Sequence, residues 1–470
     1  MTPSDQTLYL SDATHRDSRL PEPQQRVLRM LALAAAGGAL EFYDFVIFVF
    51  LADLIGVLFF PPGLPLWLTN VQTLGIFAAG YVFRPLGGVV LAHFGDIFGR
   101  KRVFAFSILL MALSTLAVGL LPSYQSIGIA APLLLIVLRI LQGIAIGGEV
   151  PGAWTFVAEH ISSRQVGLAC GVVCAGLGLG VFFGAATTAL MSWVFTPATM
   201  LSYGWRLPFI LGGGFGLVGV QLRRMLQETP IFLALRARKL LVPELPLKVV
   251  VTSYPRGVAV SMLCTWILSA GVVMLTLMVP TILERSYHFD HQAALIAAAV
   301  SAISLTVSVG FAGLVVDRIG PARFFILGGV VLALGDVAFV SISWVDPSYA
   351  YLLCALVGLS GGVVTGVPVA MVSCFPAAVR FSGVSFSYNV SYAVFGGLTP
   401  VVLTALLPLY PFSHAYYLLF ISVLTLLLGA YFSTMKGALR HGRRSPSSRD
   451  EPGPQKPMIA NVEPDGRSSP

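Results

Sequence analysis

Twelve apolar stretches run through this sequence, each close to the length that a helix needs to cross a lipid bilayer. Such a helix requires about 20 consecutive, mostly apolar residues. Charged residues make up only 11% of the chain, whereas soluble domains carry about 25%. We therefore predict an all-α membrane protein with twelve transmembrane helices, numbered here as spans 1 to 12. They are expected at 29–58, 67–92, 103–121, 131–157, 166–190, 204–222, 256–283, 292–316, 323–344, 349–372, 383–408 and 414–436.

The distribution of basic residues predicts the orientation of these spans. Cytoplasmic loops of membrane proteins carry an excess of Lys and Arg. If both termini are cytoplasmic, Lys and Arg fall in the tails, loops and helix ends of that side, with four exceptions. Arg84 and Arg139 lie within spans, and Arg206 and Arg285 lie outside. The net charge of +8 is thereby explained without a nucleic-acid partner.

The longest connection, residues 223–255, divides the chain into two six-helix bundles at 29–222 and 256–436. A cytoplasmic tail precedes them at 1–28, and a disordered cytoplasmic tail follows at 437–470. Residues 1–27 lack the apolar region of a cleavable signal peptide, so we expect span 1 to act as an uncleaved start-transfer segment. Two repeated six-helix halves around a central cavity form the architecture of many secondary transporters.

Nothing in the sequence indicates an enzyme, a cofactor or a metal site. There is no phosphate-binding P-loop, no HExxH and no GxSxG with its partner residues. The five cysteines lie in or beside apolar stretches without metal-site spacing. An ATP-driven pump and a membrane hydrolase are therefore not expected.

Three acidic residues within the spans are candidates for proton coupling. A charge inside a bilayer costs about 2.5–3.5 kcal/mol and is expected to face protein or a cavity. Glu41 and Asp44 are three residues apart on one predicted helix, and two carboxylates in a low-dielectric site do not ionise together easily. We expect Asp44, helped by Glu41, to bind the coupled proton, with Glu149 as a further candidate. The alternative is that a carboxylate simply pairs with an arginine of a neighbouring helix.

Four other residues are candidates for substrate binding. Arg139 lies in the middle of span 4 and cannot reach either membrane surface, and Arg84 lies in span 2. Both could attract an anionic substrate, or could instead form buried ion pairs that hold the helices together. Tyr388 and Asn389 offer hydrogen-bonding groups at mid-membrane depth in span 11, either lining the cavity or packing against neighbours.

Several motifs resemble those of the metabolite:proton symporter family of the major facilitator superfamily, which includes citrate, 2-oxoglutarate, shikimate and proline/betaine transporters. The resemblance covers about 28–436. Its motifs are Leu40 to Phe45, Arg84-Pro85-Leu86-Gly87-Gly88, Gly95-Asp96 with Gly99-Arg100-Lys101, Arg139 to Gly143, Gly147-Gly148-Glu149, Gln227 to Phe232, and the span-11 residues around Tyr388-Asn389.

This resemblance implies alternating access in a bacterial inner membrane, with gates at two equivalent loops. Gly95, Asp96, Gly99, Arg100 and Lys101 would gate after span 2. Asp317 and Arg318 would do so after span 8. The family usually has basic residues where Pro321-Ala322 stand here, so this second gate is expected to be eroded. Span 5 contains a run of glycines that is similar to a superfamily glycine motif, but it lacks the proline usual in that motif: Gly171, Gly176, Gly178, Gly180 and Gly184. The glycines imply either a sliding contact between helices or a packing seam.

We predict a proton-coupled symporter for a small organic acid such as citrate or 2-oxoglutarate, because two membrane arginines favour an anion. The alternatives are a symporter for a zwitterionic osmolyte (proline or betaine), a metabolite exporter, and a non-transporting sensor. The predicted C-terminal tail lacks the heptads of osmosensing family members. The expected partners are the substrate, protons and the bilayer, and the protein is expected to be monomeric.

Overall fold

The structure, a computed structural model, describes residues 22–98, 100–162, 164–224, 246–376 and 379–434. Within these ranges the chain forms helices joined by turns, without any strand. The helices of spans 1 to 6 are Glu22–Phe50 with Ala52–Phe59, Leu66–Val82 with Arg84–Phe98, Arg100–Leu120, Ala130–Ile146 with Glu149–His160, Val166–Val194, and Arg206–Arg224. Those of spans 7 to 12 are Pro255–Val272 with Val273–Leu277 and Val279–Tyr287, His291–Ile319, Pro321–Ser341, Ala350–Ser360 with Gly361–Thr365 and Gly366–Ser373, Arg380–Ser391 with Tyr392–Gly396 and Gly397–Leu406, and Ser413–Thr434.

These helices confirm the predicted all-α, twelve-helix fold. In the described ranges, ten helices are long and apolar enough to cross a membrane, and a shorter apolar helix covers Phe106–Leu120 in span 3. Arg206–Arg224 occupies the position predicted for span 6. Short helical segments fill some of the connections: Tyr124–Ile127, Pro197–Thr199, Met200–Gly204, Pro246–Ser253 and Pro347–Tyr349. Residues 1–21 of the predicted N-terminal tail, most of the predicted central connection and the predicted C-terminal tail lie outside the described residues. Residues 22–28 of the predicted N-terminal tail belong to the helix Glu22–Phe50.

Several spans are interrupted within their length. Span 2 restarts as a helix at Arg84, and span 4 restarts at Glu149 after Gly147 and Gly148. Spans 7 and 11 each contain a π-helical turn, and such turns often occur at functional sites. The helices that follow the interruptions in spans 2 and 4 begin at Arg84 and Glu149, which are both candidate residues from the sequence.

Antiparallel spans define two faces of the bundle. We call "motif face" the one where span 4 ends at His160, span 8 ends at Ile319 and span 9 begins at Pro321. The opposite "far face" includes Phe59 and Tyr287, where the helices of spans 1 and 7 end. Contacts between the first and second halves, described below, occur at both faces.

The two six-helix halves meet along two seams. Span 5 packs against span 8, and span 2 packs against span 11. These pairs are equivalent if each span of the first half corresponds to the span six places later. Gly167 and Gly313 make the span 5–8 seam very close, since a Cβ added to either glycine would lie 2.6 Å from the carbonyl oxygen of the other.

The predicted glycine motif of span 5 faces two different helices. One group of glycines packs against backbone or side chains of span 1: Gly176, Gly180 and Gly184. The other group packs against span 8: Gly171 and Gly178. Small residues permit such close helix contacts, so span 5 serves as a hub between its own half and the other half. Sliding along these seams remains a prediction.

Candidate functional site

Arg84 lies in a box of aromatic rings that both halves supply. Its guanidinium is fully buried at the start of the second helix of span 2. The Cζ atom lies 4.7 to 5.9 Å from the ring centroids of Phe45 and Tyr81 in the first half and Tyr388 and Tyr392 in the second. Its Nη2 donates a hydrogen bond of 3.3 Å to the Tyr388 hydroxyl. The box is therefore complete only when the two halves are together.

The rings of this box hold one another in place. Phe45 meets Tyr81 edge-to-face with centroids 4.8 Å apart. Tyr388 contacts Tyr392 at 5.1 Å and receives the edge-to-face contact of Trp154, also at 5.1 Å. Aromatic pairs at such spacings are favourable beyond the area they bury. The box is thus preorganised, and we define the aromatic box as Phe45, Tyr81, Tyr388 and Tyr392.

Arg139 occupies a second, adjoining aromatic environment within the first half. Its Cζ lies 4.5 Å from the ring centroids of Phe45 and Phe48 and 5.1 Å from that of Phe77. Its Nη1 donates to the Phe45 carbonyl oxygen at 3.4 Å. Phe45 therefore lies close to both buried arginines, with its ring centroid 5.9 Å from Arg84 Cζ and 4.5 Å from Arg139 Cζ.

A polar chain leads away from Arg139. Its Nη1 also donates to Gln142 Oε1 at 2.8 Å, and Gln142 Nε2 donates to Thr115 Oγ1 at 2.8 Å. The span-4 arginine is thereby connected to span 3. All three side chains are fully buried, so the hydrogen bonds fix the orientation of the guanidinium.

Both arginines keep donors that the protein does not use. Nε and Nη1 of Arg84, and Nε and Nη2 of Arg139, make no hydrogen bond within the described part of the chain. Buried donors are normally satisfied. A guanidinium group forms its strongest hydrogen bonds with carboxylates and phosphates. The site can therefore accept an anionic group, while the surrounding rings can contact a cationic one.

Asn389 connects span 11 to the broken part of span 4. Its Nδ2 donates to the Gly147 carbonyl oxygen and, at 2.9 Å, to the Ser385 carbonyl oxygen. Gly88 of span 2 lies close enough that a Cβ there would contact Nδ2. The amide Oδ1 makes no hydrogen bond among the described residues. Tyr388 is thus part of the aromatic box, whereas Asn389 holds the seam beside it.

The two carboxylates of span 1 point to different neighbours. Asp44 is buried against span 6, where a Cβ at Gly212 or Gly216 would contact a carboxylate oxygen. Neither oxygen of Asp44 makes a hydrogen bond within the described ranges. Glu41 instead interacts electrostatically with Tyr388 of the aromatic box. The structure thus places the Asp44 carboxylate beside the glycines of span 6, and the predicted pairing of the two carboxylates stays a prediction.

Glu149 lies at the start of the second helix of span 4 and is buried. An acidic side chain in the first turn of a helix is stabilised by the unsatisfied backbone N–H groups there. This position follows directly from the interruption at Gly147 and Gly148. The role of Glu149 in proton coupling stays a prediction.

Two polar contacts between the halves lie at the motif face. Asp317, at the end of span 8, accepts hydrogen bonds from the backbone N–H groups of Gly167 and Leu168 at 2.7 and 2.8 Å. The first N–H groups of a helix lack intrahelical partners, and a carboxylate is favourable there. Across the other seam, Arg380 Nη1 lies 3.4 Å from Glu159 Oε1. These contacts keep the halves together at the motif face.

At the second predicted gate, Asp317 thus contacts the start of span 5, although Pro321 and Ala322 replace the basic residues that usually follow it. Pro321 stands at the start of the helix Pro321–Ser341, a position that suits proline. Arg318 is exposed beside Asp317. The structure does not describe most of the first predicted gate. Outside the described part lie Gly99, the surroundings of Gly95, and the side chains of Asp96, Arg100 and Lys101. Gating by both loops stays a prediction.

Of the rings that surround the two arginines, only Tyr388 had been a candidate site residue from the sequence. Tyr392 lies one helical turn after Tyr388, and Tyr81 lies three residues before Arg84, so helical spacing offered a local signal. Phe48 and Phe77 carried no such signal, because apolar aromatic residues are common throughout membrane helices. Their role depends on contacts between distant spans.

Comparisons with known proteins agree with the transporter fold described above. The family model described as Major Facilitator Superfamily matches residues 45–400. The proline/betaine transporter of Escherichia coli (strain K12) is 32% identical over 87% of this chain and 84% of its own length. The glycine betaine/proline/ectoine/pipecolic acid transporter OusA of Dickeya dadantii is 31% identical over 86% and 83%. In structure, the proton:xylose symporter XylE bound to 6-bromo-6-deoxy-D-glucose superposes with a TM-score of 0.71, at 14% identity, over 87% of this chain and 96% of its own.

Proposed function

This chain belongs to the Major Facilitator Superfamily, and from that premise we propose that it is a proton-coupled symporter for a small zwitterionic osmolyte of the betaine and proline class. A secondary transporter, and not an enzyme, is what the family and the relatives establish. The relatives support the osmolyte alternative of the sequence analysis. They do not support the citrate-type organic acid that the membrane arginines had suggested. The arginines are also compatible with an osmolyte, because a zwitterion has a carboxylate that can pair with them.

The aromatic box is the single observation that carries this proposal. Quaternary ammonium groups are recognised by rings that surround them, through cation–π attraction. The four rings around Arg84 already stabilise a cation in this way. A betaine-like cargo has a methylated ammonium group for these rings and a carboxylate for the unused guanidinium donors. A dianionic or trianionic acid has no cationic group and would gain no cation–π attraction from these rings.

The geometry also supports a division of roles between the two arginines. Arg84 contacts both halves and would leave the box centre as cargo enters, pairing with its carboxylate. The ring contacts of Arg139 among the described residues, with Phe45, Phe48 and Phe77, belong to the first half, so it would keep the site attractive to anions in every conformation. Asn389 would hold the seam closed beside the bound cargo.

Proton coupling is assigned to Asp44 within this proposal. A charged carboxylate against Gly212 and Gly216 has no hydrogen-bond donor to stabilise it among the described residues, whereas the protonated form carries no charge. Glu41 interacts electrostatically with Tyr388 of the aromatic box. Cargo that binds in the box would therefore change the electrostatic environment of the span-1 carboxylates. Glu149 is kept as a further candidate.

Alternating access would then depend on the contacts at the two faces. We propose that the motif face is cytoplasmic, because the predicted loops and tails there carry most Lys and Arg residues. Asp317 and Arg380 would hold that face shut, and their loss would open it. A bacterial inner membrane is the expected location, in line with the bacterial relatives.

Uptake into proteoliposomes tests this function. Labelled glycine betaine, proline, citrate and 2-oxoglutarate would be offered with and without an inward proton gradient. Uptake of betaine or proline that depends on the gradient is the expected result. Uptake of citrate or 2-oxoglutarate alone would overturn the osmolyte assignment, and gradient-independent uptake would overturn proton coupling. Arg84→Gln should abolish uptake, while Arg323→Gln, which changes an exposed arginine of the motif face, should retain it.

A further inference from the structure

A cleft with both polar and apolar walls opens at the far face between the two halves, away from the aromatic box. It is lined by Asp53, Asn70, Thr281, Glu284, Arg285 and Thr404, among other residues, and we call it the outer cleft. Spans 2 and 11 supply Asn70 and Thr404 to its wall. Asp53 and the neighbouring His291 are exposed at its mouth. The outer cleft is thus a place where a solute from the far side would first meet both halves.

Charges of both signs meet in this cleft. Arg285 Nη2 lies 3.7 Å from Asp53 Oδ1, which joins span 7 to the helix Ala52–Phe59 of span 1. Glu284 Oε1 lies 2.8 Å from His291 Nδ1 within the second half. The Asp53–Arg285 pair is partly exposed, and exposed ion pairs are weak. A competing solute with both charges can therefore replace it.

Two buried polar side chains on the cleft lining have unused hydrogen-bonding groups. Asn70 and Thr404 are each only 2% exposed. The Asn70 amide lies beside the Asp53 carboxylate, but neither of its polar atoms makes a hydrogen bond of normal geometry in the described part of the chain. The same holds for the Thr404 hydroxyl. Buried polar groups of this kind are expected to have a partner.

We propose that the outer cleft is a second binding site for a small zwitterion, separate from the aromatic box. The cationic end of the zwitterion lies against Asp53 and its carboxylate against Arg285, with Asn70 and Thr404 as hydrogen-bonding partners. The identity of this ligand class rests on the proposed function. A simple metal cation fits less well, because Arg285 and His291 place cationic groups in the same cleft.

Binding there has a mechanical consequence. The zwitterion replaces one ion pair between the halves by two contacts to the solute, so the direct connection between Asp53 and Arg285 is lost. A ligand shifts a conformational equilibrium only through different affinities for its states. A solute that binds better when Asp53 and Arg285 are apart therefore favours opening of the far face, ahead of its transfer to the aromatic box.

Equilibrium binding of labelled glycine betaine to the full chain in lipid nanodiscs gives the first test. We expect two molecules per chain for the unchanged protein and one for Asn70→Leu. Gln72→Leu is the matched control, because it removes an amide from the same helix at a position outside the cleft lining. It should keep two. One molecule per chain in the unchanged protein, with no effect of Asn70→Leu, would overturn the proposal.

Cysteine protection gives a second test that does not depend on transport. Thr281→Cys would be labelled from the far side with a membrane-impermeant maleimide, with and without glycine betaine. We expect betaine to slow labelling at least severalfold, and to do so equally when Arg84→Gln is also present. Protection that disappears with Arg84→Gln would mean that betaine acts only from the aromatic box, and would overturn the proposal.

The two tests separate this proposal from the proposed function. Protection without uptake of betaine or proline would retain the outer cleft and reject osmolyte transport. Uptake with one bound molecule and no protection would reject the outer cleft alone. Absence of uptake, binding and protection would reject both.

Discussion

Tyr81 and Tyr392 stack face to face across the seam between the two halves, with ring centroids 5.3 Å apart and ring planes inclined by 12°. Both rings also face the guanidinium of Arg84, at 5.3 and 4.7 Å. Since the tyrosines belong to different halves, separating the halves disassembles the aromatic box. Cation binding to these rings is therefore energetically connected to closure of the seam.

Removing one of these rings should weaken cargo binding. For Tyr392→Leu we expect the KM for glycine betaine to rise about tenfold. A cation–π contact contributes from about 0.5 kcal/mol when exposed to about 2 kcal/mol or more when desolvated, and about 1.4 kcal/mol corresponds to a factor of ten. The measurement is the initial uptake rate as a function of betaine concentration in proteoliposomes.

Tyr392→Phe is the control for this prediction. It keeps the ring and removes a hydroxyl that has no hydrogen-bond partner within the described ranges. Its KM should stay within about twofold of the unchanged protein, since a lost hydroxyl without a partner carries little binding energy. Equal KM values for the Leu and Phe variants would contradict recognition by the ring.

Asp44→Asn should separate transport from its proton coupling. The amide has nearly the shape of the carboxylic acid and cannot ionise, so the variant mimics a permanently protonated span 1. We expect accumulation of betaine against its gradient to disappear, while exchange of internal for external betaine continues. Both are measured in the same proteoliposomes, with and without a pH gradient. Asp346→Asn, an exposed residue of the far face, is the control and should retain accumulation.

Unchanged accumulation by Asp44→Asn would reject this residue as the proton carrier. The next variants would then be Glu41→Gln and Glu149→Gln, the other two predicted carriers. Loss of exchange as well as accumulation would indicate instead that Asp44 is needed for folding or for packing against Gly212 and Gly216.

The sequence was sufficient for the twelve spans because bilayer thickness imposes a length and an apolar character on each. It could not locate the π-helical turns Val273–Leu277 and Tyr392–Gly396, since they carry no distinct composition. Buried charge is costly anywhere in a membrane, and so Arg84, Arg139, Glu41 and Asp44 could be recognised without a structure.

The partners of those charges could not be recognised in the same way. The hydrogen bond from Arg84 to Tyr388 joins residues 304 positions apart, and no local pattern encodes that contact. Asp44 lies against Gly212 and Gly216 of span 6, and no local pattern in span 1 indicates that neighbour. Which neighbour a helix face meets is a property of packing between spans, and this decides the direction of each side chain.

Asp317→Ala should open the motif face. It removes the acceptor for the N–H groups of Gly167 and Leu168, and loss of a carboxylate or hydroxyl cap at a helix start costs about 0.5–2 kcal/mol. Cys374 is a natural reporter, because it is half-buried at the motif end of span 10 while the other cysteines are buried. We expect its labelling by a maleimide to accelerate about twofold to thirtyfold, the factor that this energy implies.

Arg323→Gln is the matched control for that change, since it alters an exposed charged residue of the same face and leaves the hydrogen bonds of Asp317 in place. Its Cys374 labelling rate should equal that of the unchanged protein. Acceleration by both variants would point to a general effect of charge near the loop. No acceleration by Asp317→Ala would show that the contact does not hold the motif face shut.

Gly180→Ala should destabilise the first half, because the added methyl would contact the Ala39 carbonyl oxygen and the backbone of Tyr43 in span 1. Backbone must shift to relieve such contacts, and inserted methyl groups of this kind cost about 1–3 kcal/mol. We expect a lower midpoint of thermal unfolding in detergent.

Gly75→Ala is the control, because a Cβ at this position of span 2 has open space around it. It should raise the midpoint slightly, because alanine is favoured over glycine in helices by about 0.5–1 kcal/mol. Opposite shifts for these two substitutions would establish that the span 1–5 seam, and not helix propensity, sets the requirement for glycine in span 5. A lower midpoint for both would contradict it.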